Sequence, residues 1–173
     1  DHAVVGWGDP GLPDLHGMYW SSSNDFTEAM YYRLAQAVSF SNSFIKNASE
    51  LSGEEVNTFI AEARFLRAYA YYNLLDLYGN VPLTTEISTE LPTQSNRTEL
   101  FNFIESELLE IESILLTSNE YGRVDNIAAH ALLSRLYLNA EVWTGQNRYS
   151  DCITYSQNVI NSGYSLNQND ANG

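Results

Sequence analysis

The sequence predicts an all-α protein built from stacked helical hairpins, preceded by an irregular N-terminal loop. Three observations carry this prediction. Apolar residues recur at helical spacing in several long segments, residues typical of helix caps stand before those segments, and one helix pattern returns later in the chain. No segment alternates polar and apolar residues for long enough to predict a β-sheet.

The N-terminal residues 1–24 are expected to form an ordered loop, because Gly and Pro are frequent there and no period is sustained. The first helix is predicted from Asp25 to about Asn47, since Asp25 and Glu28 have the spacing of a capping box. Its buried side is expected to carry Met30, Leu34, Ala37, Ser41 and Phe44.

A second helix is predicted from Ser52, which has capping-box spacing to Glu55. Gly79 and Pro82 mark its end, because glycine suits the residue after a helix and proline cannot continue one. The expected buried seam of this helix steps by three or four residues and consists of Phe59, Ala63, Leu66, Ala70, Leu74 and Leu77.

The segment 81–94 is too short and too irregular for a sheet, so we expect an extended connector. Asn96 and Glu99 then predict a capped third helix. Its buried stripe is expected to be Leu100, Ile104, Leu108, Ile111 and Leu115. The mainly solvated side is expected to carry Glu99, Glu105, Glu107, Glu110 and Glu112.

Two further helices complete the prediction. Asp125 is the expected cap of the fourth helix, and the fifth runs from Tyr149 to Asn161 before Gly163. The seam of the fourth helix consists of Ala129, Leu133, Leu136, Ala140 and Trp143.

The second and fourth helices resemble one another. When Gly79 is aligned with Gly145, four other positions carry the same residue type in both helices. The pairs are Ala63 with Ala129, Leu66 with Leu132, Tyr71 with Tyr137 and Asn73 with Asn139. The offset is close to twice the tetratricopeptide period of about 34 residues. The repeat therefore predicts tetratricopeptide-like hairpins, in which small residues such as Ala63 and Ala70 permit close helix approach.

Composition limits the possible partners. The 173-residue chain has a formal charge of −14, from 22 acidic and 8 basic residues, so it repels nucleic-acid phosphates and anionic lipid headgroups. No stretch approaches the roughly 18 apolar residues of a membrane span. Cys152 is the only cysteine, which excludes an internal disulfide, and we expect it to be a small buried residue.

The sequence shows no catalytic, cofactor or metal motif. His2, His16 and His130 are far apart, and nucleotide-binding glycine motifs and a Gly-x-Ser-x-Gly elbow are absent. We therefore expect neither an enzyme nor a bound cofactor. Arg64 and Arg67 share a helix face and either clamp an anionic ligand or pair with acidic residues of neighbouring helices; the second interpretation is favoured.

Several segments of the chain are distinctive when taken together. They are EARFLRAY at 62–69, LYGNVPL at 77–83, ALLSRLYLNAE at 131–141, VINSGY at 159–164, and Asn24-Asp25-Phe26 followed by Tyr31-Tyr32-Arg33. In this order they resemble the SusD/RagB family, the outer-membrane glycan-binding lipoproteins of Bacteroidetes. The chain is thus identified as the early, tetratricopeptide-like portion of a SusD-like domain, with a loop at 1–24, helical hairpins at 25–162 and a polar tail at 163–173.

This resemblance implies a non-catalytic protein that captures oligosaccharides or polysaccharides, such as starch, at the cell surface. It also implies docking on a SusC-type TonB-dependent transporter during nutrient uptake. Membrane attachment would use a lipid anchor on a cysteine that is not in this sequence, and a long C-terminal region would complete the family fold. Two alternatives stay open: a helical-repeat adaptor between proteins, and a helical glycoside hydrolase, which needs two carboxylates about 5 to 9.5 Å apart.

The N-terminal loop is the expected glycan contact. Sugar rings lay their C–H faces against aromatic rings while their hydroxyls need donors and acceptors, so a site combines exposed Trp or Tyr with Asn or Asp. The loop supplies this mixture in Trp7, Asp9, Tyr19, Trp20 and Asn24. The competing interpretation is that Trp7 and Trp20 plug the end of the helical stack.

Overall fold

The computed structural model describes residues 8–165, and within them nearly all regular structure is helical. Trp7 and residues 166–173 lie outside the described residues. The elements are α1 (Leu12–Gly17), α2 (Asp25–Ala48), α3 (Glu54–Tyr78), β1 (Val81–Pro82), β2 (Gln94–Ser95), α4 (Arg97–Ile111), α5 (Asn126–Leu138), α6 (Ala140–Thr144) and α7 (Tyr149–Ile160). Helix packs on helix in the pairs α2 with α3, α3 with α4 and α5 with α7, which confirms the predicted fold class. No helix in residues 8–165 has the length and apolarity that crossing a bilayer requires.

The loop before α2 differs from the prediction, because it contains the short helix α1. Pro13 stands in the first turn of this helix, where its missing N–H costs no hydrogen bond. The helix ends at Met18, a non-glycine residue with a φ of 61°. The next helix, α2, is capped by Asn24, one residue before the predicted cap: the Asn24 Oδ1 accepts hydrogen bonds from the backbone N–H groups of Phe26 and Thr27.

The long helix α3 begins and ends at glycines. Its N-cap is Gly53, which offers no side-chain hydrogen bond, so the predicted capping box of Ser52 and Glu55 was wrong. Its C-terminus is as predicted: Gly79 has a φ of 76°, and its N–H donates to the carbonyls of Leu74 and Leu75. A residue with a Cβ would be strained at this φ.

The connector after α3 contains a β-ladder that we did not predict. Val81 pairs with Ser95 and Pro82 with Gln94 in an antiparallel two-stranded sheet, so the expectation of helices and connectors alone in 25–162 was wrong at these four positions. The connector is also attached to the helices. Thr84 exchanges two hydrogen bonds with the Tyr71 hydroxyl and accepts a third from the Asn42 amide.

The helix α4 follows its prediction closely. Asn96 and Glu99 form the reciprocal capping box, and the stripe Leu100, Ile104, Leu108, Ile111 and Leu115 is at most 4% exposed. One glutamate departs from the prediction, since Glu107 is 5% exposed and lies against α3.

The second half of the chain contains the helices α5, α6 and α7, and α5 packs against α7. Asp125 caps α5, whose helix is interrupted at Asn139 before α6, and the predicted seam Ala129, Leu133, Leu136, Ala140 and Trp143 is buried. The helix α7 occupies the predicted range, and all its residues stay at least partly exposed. Cys152 on α7 is half-buried against the core instead of fully buried.

The centre of the core is α3, which lies between α2 and α4. Its predicted seam is correct for Ala63, Ala70 and Leu74 and wrong for Leu66 and Leu77, which are 52% and 56% exposed. On α2 the expected Met30 and Phe44 are exposed as well. The prediction is correct for Leu34, Ala37 and Ser41, which lie on the packed side of α2. Val38 and Asn42, which were not predicted, are buried there as well.

Candidate functional site

The loop before α2 places two aromatic rings at the surface. Tyr19 is 66% and Trp20 is 47% exposed, and neither ring pairs with another aromatic ring in the described part of the chain. The Tyr19 ring lies directly over Gly17, where a Cβ atom would stand 1.9 Å from the ring. The backbone below is fixed by the bond from the Tyr19 N–H to the Asp14 carbonyl, 3.0 Å long. The loop therefore presents these rings from a defined backbone.

Asn24 holds this loop to the helical stack. It is 5% exposed, its Oδ1 caps α2, and its Nδ2 donates to the Gly11 carbonyl at 2.9 Å. Gly11 has a φ of 89° and approaches so closely that an added Cβ would lie 2.7 Å from the Asn24 Nδ2. Both polar groups of Asn24 are thus engaged in positioning the loop on α2.

The remaining predicted site residues are distributed differently. Asp9 is exposed, and the hydrogen bond that it accepts from the N–H of Leu12, at 3.4 Å, is made by its backbone carbonyl and not by its carboxylate. Trp7 lies outside the described residues. The structure therefore brings Tyr19 and Trp20 together on one loop, with Asn24 beneath it.

The loop lies at one end of the helical stack. The helices α2 and α3 run antiparallel, and the Tyr78 hydroxyl at the end of α3 donates to the Thr27 carbonyl in the first turn of α2 at 2.5 Å. The same end holds the start of α4, because β1 follows α3 by three residues and pairs with β2 directly before α4. A ligand on the loop would therefore be close to these helix ends.

Arg64 and Arg67 form an internal ion-pair network and not an anion clamp. Glu107 accepts from Arg64 at 2.7 Å and from Arg67 at 2.5 Å, and Arg64 also reaches Glu110 at 2.6 Å. Burial lowers the pKa of Arg64, but the bonds with both carboxylates outweigh it and the net pKa is raised. Arg67 in turn donates to Asn42 at 2.8 Å, so the network connects α2, α3 and α4.

No group of three His, Cys, Asp or Glu residues within 8–165 is arranged to hold a metal ion. His130 Nε2 lies 3.4 Å from Glu112, and burial together with that carboxylate raises the pKa of Tyr155 to about 12. The Tyr137 hydroxyl donates to Glu105, and burial followed by this bond raises its pKa as well. These groups pack α4, α5 and α7 together beneath the surface.

Comparisons with known proteins identify relatives of this chain. A family profile of SusD-like proteins, described as "Starch-binding associating with outer membrane", matches residues 15–138. The starch-binding protein SusD of Bacteroides thetaiotaomicron is 38% identical over 157 residues, which cover 90% of this chain and 28% of SusD. The chain therefore spans little more than a quarter of the length of that relative.

Solved structures share the fold. A SusD superfamily protein from Parabacteroides distasonis superposes with a TM-score of 0.81 at 27% identity, covering 90% of this chain and 36% of that one. A structure described as containing a xylogluco-oligosaccharide superposes with a TM-score of 0.83 at 24% identity, covering 92% and 35%. The fold of most of this chain is thus found within larger proteins.

Proposed function

Because this chain belongs to the SusD-like family of glycan-binding proteins, we propose that it supplies one of the glycan contacts of an oligosaccharide-capturing protein. The observation that carries the proposal is the pair of exposed rings, Tyr19 and Trp20, on a loop that Asn24 fixes to the stack. A ring that is already ordered loses little conformational entropy when a sugar stacks on it.

The proposed contact is non-catalytic. Exposed rings bind the C–H faces of pyranoses, and the carboxylate of Asp9 accepts hydrogen bonds from sugar hydroxyls. In the complete protein we propose that binding occurs at the cell surface, with the polypeptide attached to the outer membrane by a lipid anchor and acting as a lid on a SusC-type transporter. The support for the location is the family description, which is one of outer-membrane association.

A second candidate function, docking of another protein on the helical repeats, is favoured by one observation. Met30, Phe40 and Phe44 on α2 are exposed at 49%, 66% and 47%. An apolar stripe of this kind is typical of protein contacts. This stripe is compatible with docking on a transporter and with an adaptor between other proteins. Retention by a glycan gel distinguishes the two, because a pure adaptor is not retained.

The test is affinity electrophoresis of the protein, expressed from its full reading frame, in gels containing starch, laminarin or xyloglucan. In the gel whose glycan retards the unmodified protein, we expect Trp20→Ala to raise the Kd for that glycan about tenfold, or ~1.4 kcal/mol. The thermal midpoint should change little. Tyr32→Ala is the matched control, because Tyr32 is 62% exposed but lies on α2. Retained binding together with a lowered thermal midpoint would instead make Trp20 a structural plug.

A further inference from the structure

A depression of about 450 Å³ lies beside the start of α4. Three separate segments form it: Asn80 after α3, the first turn of α4 at 96–99, and Val142 with Trp143 on α6. They are held together by the β1–β2 ladder, which places Asn80 next to α4, and by the Thr98 hydroxyl, which donates to the Trp143 carbonyl at 3.4 Å.

Arg97 is the one basic residue among the described residues that line this depression. Its guanidinium lies over Gly79, where an added Cβ would stand 2.6 Å from Nη2, so the absence of a side chain at Gly79 makes room for it. Within residues 8–165 it has no carboxylate within ion-pair distance and no hydrogen-bond partner. Arg33 and Arg135 also lack a carboxylate partner there, whereas Arg64, Arg67, Arg123 and Arg148 are paired with glutamates. The donors of the Arg97 guanidinium are therefore available to a ligand.

The other polar groups around the depression also have unused hydrogen-bonding capacity among the described residues. The Asn80 side chain makes no hydrogen bond, and only its backbone carbonyl is used, by Gln94. Asn96 uses its Oδ1 as a helix cap and keeps its Nδ2 donors, while Glu99 uses Oε2 and keeps Oε1. Donors and an acceptor therefore face one space beside the edge of an indole ring.

This mixture selects a neutral, polyhydroxylated ligand. An anion would face the Glu99 carboxylate and the negative charge of the whole chain, and a cation would face Arg97. Sugar hydroxyls satisfy both kinds of group, because each hydroxyl donates one hydrogen bond and accepts others. Val142, 78% exposed, and the edge of Trp143 offer an apolar side for the sugar ring.

The depression shares an end of the helical stack with the aromatic loop. Asn80 follows Tyr78 by two residues, and the Tyr78 hydroxyl is bonded to the first turn of α2, directly after the loop. Resting on the proposed glycan function, we propose that the depression is a second sugar subsite, which binds one residue of a neutral glycan whose other residues stack on Tyr19 and Trp20. Longer oligosaccharides reach both places and shorter ones reach only the loop.

Calorimetric titration of the protein, expressed from its full reading frame, tests this proposal. The probes are malto- and laminari-oligosaccharides of three and of seven residues. In whichever series binds, we expect Arg97→Gln and Asn80→Ala each to weaken binding of the seven-residue ligand by about tenfold and to leave the three-residue ligand unchanged. Arg33→Gln is the matched control, because it removes the same charge from α2, outside the depression.

The outcomes separate the two proposals. Trp20→Ala is expected to weaken both lengths. If it does so while Arg97→Gln and Asn80→Ala bind the seven-residue ligand as the unmodified protein does, the subsite is refuted and the loop site stands. If no glycan of either length binds, both proposals fail for neutral glucans. If Arg97→Gln lowers the thermal midpoint and Asn80→Ala leaves binding unchanged, Arg97 is structural and the subsite is refuted.

Discussion

Removing the carboxylate of Glu107 is the most informative perturbation of the fold. Glu107 is 5% exposed and accepts hydrogen bonds through both oxygens: Oε1 from Arg64 at 3.1 and 2.7 Å, and Oε2 from Arg67 at 3.0 and 2.5 Å. Arg67 is itself 5% exposed. In Glu107→Ala this guanidinium stays buried with Asn42 as its remaining partner, because Glu110 reaches only Arg64.

The magnitude follows from burial. Breaking a buried ion pair by removing one partner costs about 3–5 kcal/mol, because an uncompensated charge is left inside. Glu110→Ala removes a bond of similar length, 2.6 Å, but the Glu110 side chain is 62% exposed. An exposed pair contributes about 0–1 kcal/mol. We therefore expect Glu107→Ala to lower the free energy of unfolding by about 3 kcal/mol more than Glu110→Ala.

Urea unfolding followed by circular dichroism measures this difference. A double variant, Glu107→Leu with Arg67→Met, should recover much of the loss, since it removes the unpaired charge together with its partner. Equal destabilisation by Glu107→Ala and Glu110→Ala would refute the argument. A double variant no more stable than Glu107→Ala would show that packing, and not the unpaired guanidinium, determines the cost.

Two further predictions concern packing and pH. Ala70 is 2% exposed, so Ala70→Phe should overpack the core and lower the free energy of unfolding by about 1–3 kcal/mol, as measured by urea titration. The control Ala29→Phe, on an exposed turn of α2, should change the free energy of unfolding little. Because the pKa of Tyr155 is raised to about 12, the folded state resists ionisation there, so stability is full below pH 10 and falls between pH 10 and 12 as the unfolded tyrosine ionises. Across that pH range, the thermal midpoint of Tyr155→Phe should fall less than that of the unmodified protein. The midpoint of the control Tyr121→Phe should fall as steeply as that of the unmodified protein. If the midpoint of Tyr155→Phe falls just as steeply, the raised pKa of Tyr155 is contradicted.

The buried positions of α3 show which buried residues helical periodicity can predict and which it cannot. The predicted seam was correct at Ala63 and Ala70 but wrong at Leu66. Because α2 and α4 cover α3 from two directions, buried positions extend around much of its circumference and include Phe65 and Ala68. A single stripe predicts the orientation of a helix that is covered on one side, such as α4, and not of a helix enclosed by two neighbours.

Charged and polar residues were predictable where their partners are local. The capping box of Asn96 and Glu99 is closed within one helical turn, so the sequence alone predicts it. Glu107 was expected outside because its partners, Arg64 and Arg67, lie on another helix about 40 residues earlier. The β-ladder was missed for the same reason, since its two strands are only two residues long and pair across a connector.

The candidate site was only partly predictable. Composition pointed to the loop, where Tyr19 and Trp20 are exposed, but Asn suits both a sugar contact and a helix cap, and the sequence cannot separate these roles at Asn24. The depression around Arg97 gave no signal in the sequence, because its residues come from three segments that only tertiary packing brings together.

The position of the two signature arginines affects how relatives of this protein can be compared. Arg64 and Arg67 carry much of the sequence motif that resembles the family, and both act inside the molecule on Glu107. Because Arg67 and Glu107 are both buried and paired with each other, neither can be exchanged alone without exposing the fold to a loss like that described for Glu107→Ala. Because the two arginines act inside the molecule, the motif reports how the helices pack, and contacts to a ligand have to be sought in residues outside it.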